Sequence, residues 1–203
     1  MKLIKFFAYS VLAALVIPFS GCEAPSPILD PDTAIHGLGA FGSGSPTNFS
    51  VGDLSTPIKV DLQWVSIDSK NTVTKIDLFV TMTEKYIDLE KNPRTANFGQ
   101  KKIGEVTSVP GNRTPSSINI TPQQILDAFK SSTFDYKDGK GAVSVFNASP
   151  KAERTASTPF ITDDSFQLRW AFTTADGRYF DSWSDSVCLE FPGANCSLTW
   201  GVK

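Results

Sequence analysis

The chain has 203 residues, 40% of them hydrophobic, 20% charged and 11% aromatic, which is the composition of an ordinary globular protein. Its formal net charge is −2 and no basic run or stripe interrupts it, so nucleic acid is not an expected partner. A single histidine and three cysteines leave little material for triads or multi-histidine metal centres.

The first 22 residues carry the strongest signal. Lys2 and Lys5 precede an apolar run from Phe6 to Phe19, followed by Ser20-Gly21-Cys22. That run has the length of a secretory h-region and is too short to span a bilayer as a stable helix. The ending resembles the lipobox of bacterial lipoproteins, in which the cysteine is lipidated and becomes the first mature residue. Residues 1–21 are therefore expected to be a lipoprotein signal peptide and Cys22 the lipidation site. Residues 22–50 are expected to be a flexible tether. They hold Pro25, Pro27, Pro31 and Pro46 and a Gly/Ser-rich stretch, Gly37 to Ser45, which offers little surface to bury. Gly37-Leu38-Gly39-Ala40-Phe41-Gly42 matches G-x-G-x-x-G in form. It follows no expected strand and opens no expected helix, so it reads as linker.

The folded domain is expected over 51–203. Ile58, Val60, Leu62 and Trp64 alternate with polar residues, and Ile76, Leu78, Val80 and Met82 do so again. With Asp68-Ser69-Lys70-Asn71 between them, these runs read as an antiparallel hairpin over 58–67 and 72–83. Residues 84–100 read as a long polar loop, and 101–109 as a weaker strand. Thr121-Pro122-Gln123-Gln124 predicts a helix over about 122–130, with a capping box and proline at its first position. A strand is expected over 142–146 and a second polar loop over 147–162. Phe166, Leu168, Trp170 and Phe172 form the strongest alternating run, and Asp176-Gly177 predicts the hairpin that follows it. Many short strands, recurrent turns and a single short helix predict an all-β antiparallel sandwich.

Lipidation of Cys22 leaves Cys188 and Cys196 for each other in an oxidising compartment. They flank a Pro-Gly turn between two expected strands, 187–191 and 197–202. A disulfide there would contribute about 2.5 kcal/mol on the chain-entropy estimate; the alternative is a pair of buried thiols.

No catalytic residue, cofactor or metal is expected. The only histidine, His36, falls in the expected tether. Asp163, Asp164, Asp181, Asp185 and Glu190 could in principle supply a glycosidase pair, but the sequence brings no two of them together. The oxygen-rich runs 135–139 and 181–185 lack EF-hand spacing and read as turns. Trp64 and Trp170 lie on the apolar phase of their strands and read as core, while Trp200 is ambiguous. Trp183 sits in the polar setting Asp181-Ser182-Trp183-Ser184-Asp185. It could stack on a sugar ring while Asp181 and Asp185 bond its hydroxyls; the alternative is a tryptophan folded back over the sandwich edge.

Taken together, the lipobox-like ending, the Pro-rich tether, the strand pair 58–67 and 72–83, and the Thr-Pro-Gln-Gln-Ile-Leu-Asp-Ala-Phe helix resemble a known family. So do Asp164-Ser165-Phe166-Gln167-Leu168 and the run Thr173 to Phe180. The family is the accessory outer-membrane lipoproteins of Bacteroidota TonB-dependent nutrient-uptake loci, of the starch-utilisation type. The resemblance implies an Ig-like sandwich anchored to the outer membrane by its lipid. It implies a non-enzymatic role in glycan capture or as a partner of a transporter complex. An adhesion or fimbria-like component that uses strand addition, and a carboxylate-dependent glycoside hydrolase, are the alternatives.

Overall fold

The computed structural model describes residues 34–146, 154–181 and 194–203. Within these residues, ten strands and one helix run in the order β1 (Ile35–Phe41), β2 (Ile58–Ser66), β3 (Val73–Ile87), β4 (Pro93–Val106), β5 (Ser116–Ile120), α1 (Pro122–Phe129), β6 (Thr133–Asp135), β7 (Ala142–Ser144), β8 (Asp164–Thr174), β9 (Tyr179–Phe180) and β10 (Leu198–Gly201). One sheet has the order β1-β2-β5. The other has the order β10-β8-β3-β4, with β9 also on β8, and β6 and β7 form a small ribbon. Each pair among these strands is antiparallel. The inward residues of both sheets share one apolar core, so the fold is an all-β antiparallel sandwich with one short helix.

Alternation decides which residues face that core. Ile58, Val60, Leu62 and Trp64 of β2 are buried, as are Ile76, Leu78, Val80 and Met82 of β3 and Phe166, Leu168, Trp170 and Phe172 of β8. Trp200 of β10 is buried too, edge-on to Phe49, which settles its ambiguity as core. Helix α1 begins where its capping box places it. Thr121 Oγ1 accepts from the Gln124 amide, and the Gln124 side chain accepts from the Thr121 amide. It lies in the crossover between the sheets and buries Ile125 and Phe129.

Three expectations need correction. First, β1 lies inside the segment read as tether. Ile35–Phe41 is already strand, ahead of the boundary expected at residue 51, and His36 is buried on it. Composition misled here because Gly37 and Gly39 serve packing: a Cβ on Gly37 would fall 2.0 Å from Trp170 Nε1, and one on Gly39 2.6 Å from the Trp170 ring. Second, β2 and β3 do not pair. The turn residues 67–72 carry the chain from one sheet to the other, so β2 pairs with β1 and β5 while β3 pairs with β4 and β8. Third, most of 84–100 is strand. β3 continues to Ile87 and β4 starts at Pro93, leaving only 88–92 as the loop of a long hairpin.

Candidate functional site

Glu84 and Asp164 fall on the buried phase of β3 and β8, in register with Met82 and Phe166, and they sit opposite each other across the two strands. Their side chains are fully buried, and Arg154, carried by the segment before β8, enters between them. Its guanidinium binds Asp164 through both terminal nitrogens at 2.6 and 2.7 Å, Glu84 Oε2 at 2.9 Å and the Pro159 carbonyl at 2.7 Å. The Tyr136 hydroxyl donates to the same Glu84 oxygen at 2.6 Å, and the Ile161 amide donates to Asp164 at 2.9 Å.

Burial pushes the Asp164 carboxyl above its ordinary range, and Arg154 opposes that shift. Burial works against the charge of Arg154, but its hydrogen bonds and charge pairing with Asp164 and Glu84 outweigh this and hold it firmly protonated. Burial and the bond to Glu84 push the Tyr136 phenol upward. This carboxylate pair has the residue types of a hydrolase. Yet both carboxyls are shut from solvent and committed to one guanidinium, so they serve the core rather than a substrate.

The network stands behind an open surface. Beyond Glu84 the strand continues to Tyr86, whose ring meets Tyr136 edge-on at 5.0 Å. A cleft of about 330 Å³ opens there, lined by Tyr86, Asp88, Leu89, Glu90, Arg94, Tyr136 and Lys137. A second, of about 400 Å³, shares Tyr86 and Arg94 and adds Lys85, Ile87, Pro93 and Thr95. Both volumes lie within the range of small-molecule sites.

The hairpin loop shapes this surface by local chemistry. Asp88 closes the loop by accepting from the Asn92 amide at 2.8 Å and from Arg94 Nε at 2.8 Å. Lys91 adopts a left-handed conformation, φ 66°, to make the turn. The Arg94 hydrogen bond, then that of Asn92, hold the Asp88 carboxyl below its ordinary range. Leu89 and Ile87 are left exposed, at 72% and 47%. The surface thus combines apolar side chains, two mostly buried tyrosines and charges of both signs.

Of the residues singled out from sequence, Asp181 is exposed just after β9. Trp183, Asp185, Cys188 and Cys22 lie outside the described residues. Cys196 is half-buried and disulfide-bonded; its pairing with Cys188 remains a proposal. Asp163 and Asp164 are neighbours, but only Asp164 belongs to the Arg154 cluster. Among the described residues no group of three or more His, Cys, Asp or Glu could hold a metal ion. Sequence reasoning missed Glu84, although it continues the buried phase of Ile76 to Met82, and missed Arg154, which stands in a polar segment with no periodicity to mark it. No protein-family model matches the chain, and no curated protein matches it.

Proposed function

We propose that this chain is a lipid-anchored accessory protein of the bacterial outer membrane, without catalytic activity of its own. It captures a glycan for a TonB-dependent transporter complex or serves that complex as a partner. The observation that carries the reading is the leader that ends in Ser20-Gly21-Cys22.

The geometry of the fold supports it. Ile35, where the described fold starts, pairs with Ser66, at the end of the sandwich where β3 begins. The clefts lie where β3 finishes, and a 15-residue strand spans roughly 50 Å. The clefts thus lie at the opposite end of the described fold from Ile35, on a surface that a captured ligand can reach.

Strand addition, the adhesion alternative, finds less support in the sheet edges. β4 carries Lys101 and Lys102 and two register shifts against β3, features that blunt an edge. The outer edge of β1 is already occupied by the Asn195 side chain, which accepts from the Gly39 amide and donates to the Gly39 carbonyl. The hydrolase alternative has in Glu84 and Asp164 a pair that no substrate can reach.

The anchor is tested by Cys22→Ala in the full chain, with labelled palmitate and membrane fractionation. The variant is expected to lose both the label and its detergent-dependent membrane association. Membrane association that persists without label would remove the anchor and the reading built on it.

A further inference from the structure

The two clefts at the β3–β4 hairpin are lined by three cationic side chains, Lys85, Arg94 and Lys137, and two carboxylates, Asp88 and Glu90. Asp88 is already occupied by Arg94 and the Asn92 amide, and Glu90 accepts from the Asn92 side chain at 3.3 Å. Arg94 spends only its Nε on Asp88. Among the described residues no other hydrogen bond engages its guanidinium, and Glu90 acts on it only through its charge, so both terminal nitrogens can donate to a further acceptor. Lys85 lines the adjoining cleft, and among the described residues no ion pair or side-chain hydrogen bond engages its ammonium. Among the described residues no carboxylate lines that cleft. Lys137 adds a third cation, shared with Asp135 at 2.7 Å.

A guanidinium held by its Nε presents its remaining edge as a fork that matches a carboxylate. Beside that fork stand Tyr86, Ile87, Leu89 and Pro93. Apolar side chains of this kind can cover the face of a ring.

We propose that these clefts form a binding site for a carboxylate-bearing saccharide, a uronic-acid residue of an acidic glycan. Its carboxylate lies on the terminal nitrogens of Arg94, with Lys85 adding charge, and its ring rests on the apolar side chains. This rests on the capture reading and narrows the ligand from glycans in general to acidic ones. It also moves the site from Trp183, Asp181 and Asp185 to the β3–β4 hairpin.

The test is affinity gel electrophoresis of the full chain in detergent, with polygalacturonate, alginate and neutral amylose cast in parallel gels. Retardation is expected in at least one of the two acidic gels and not in amylose, weakening as salt is raised. Arg94→Ala is expected to lower that affinity at least about tenfold, with Lys85→Ala lowering it less. Lys85 is exposed, so its variant guards against a result caused by misfolding, and the thermal midpoint of each variant is recorded. Binding to the acidic glycans that neither substitution alters would overturn the site while leaving the capture reading intact. Amylose bound as tightly as the acidic glycans would overturn the ligand class. No retardation in either acidic gel would overturn the proposal, and with amylose also unbound the capture reading would fall with it.

Discussion

Gly37 and Gly39 of β1 lie under the indole of Trp170, which stands on the opposite sheet. Each glycine leaves room where any side chain would collide with the ring: a Cβ on Gly37 would also meet Trp170 Cε2 at 2.9 Å. The two residues that make 37–45 read as linker are thus the ones that let the sheets approach. Composition records that a residue lacks a side chain but not what fills the vacant space. We expect Gly37→Ala to destabilise the fold by about 1–3 kcal/mol, the usual cost of overpacking a filled core. Gly104→Ala, where no heavy atom lies within 4 Å of the new Cβ, should change stability by no more than about 0.5 kcal/mol. Urea unfolding of the two variants side by side measures the difference. Equal midpoints would mean that the Trp170 contact does not constrain β1.

Among the described residues, strand β1 has β2 on one side and no further strand on the other. The Asn195 backbone amide donates to the Gly37 carbonyl at 3.0 Å, and the side-chain amide bonds both backbone groups of Gly39, at 2.6 and 2.9 Å. One asparagine thereby imitates the next strand of the ladder and pairs groups that would otherwise be left open. Asn112 does the same for β2, accepting from the Ser66 amide at 3.0 Å and donating to the Ser66 carbonyl at 2.9 Å. We expect Asn195→Ala to cost about 1–3 kcal/mol, from the two hydrogen bonds to Gly39 at about 0.5–1.5 kcal/mol each, the longer one to the Ser197 carbonyl at 3.3 Å adding little. Amide exchange should quicken first at Gly39, whose N–H loses its acceptor. Unchanged protection at Gly39 would show that β1 is held by β2 alone.

Across the whole molecule, the Arg154 cluster joins β3, β8, the segment before β8 and Tyr136 through groups shut from water. A buried pair of this kind adds little beyond a well-packed apolar replacement, but removing one partner is costly. Arg154→Met should destabilise the fold by about 3–5 kcal/mol at neutral pH, because Glu84 and Asp164 then remain buried without their cation. The sign of the pH dependence follows from Asp164. Burial raises its carboxyl, and losing Arg154 removes the group that opposes this shift. A carboxyl raised in the folded state binds its proton more tightly there than in the unfolded chain, so acid relieves the variant. The stability gap between Arg154→Met and the parent should narrow as the pH falls from 7 towards 4, as read by thermal unfolding at each pH. A gap that widens in acid would contradict the assignment of Arg154 as the counter-charge.

Local alternation made the buried faces of β2, β3 and β8 readable before any fold was known, because the period of two is a property of the strand itself. The capping box of α1 was readable for the same reason: its hydrogen bonds join residues three apart. Turn residues located where the chain bends, at 67–72 and 176–177, but not which sheet it enters next. That choice depends on which apolar faces meet across the core, so β3 leaves β2 for β8. The same non-local meeting turned an apparent linker into β1, since the partner that explains Gly37 and Gly39 is Trp170. It also drew Arg154 from a polar segment into the core between Glu84 and Asp164. A charge becomes affordable in the interior only when its counter-charges arrive from distant strands, and no window along the chain records that meeting.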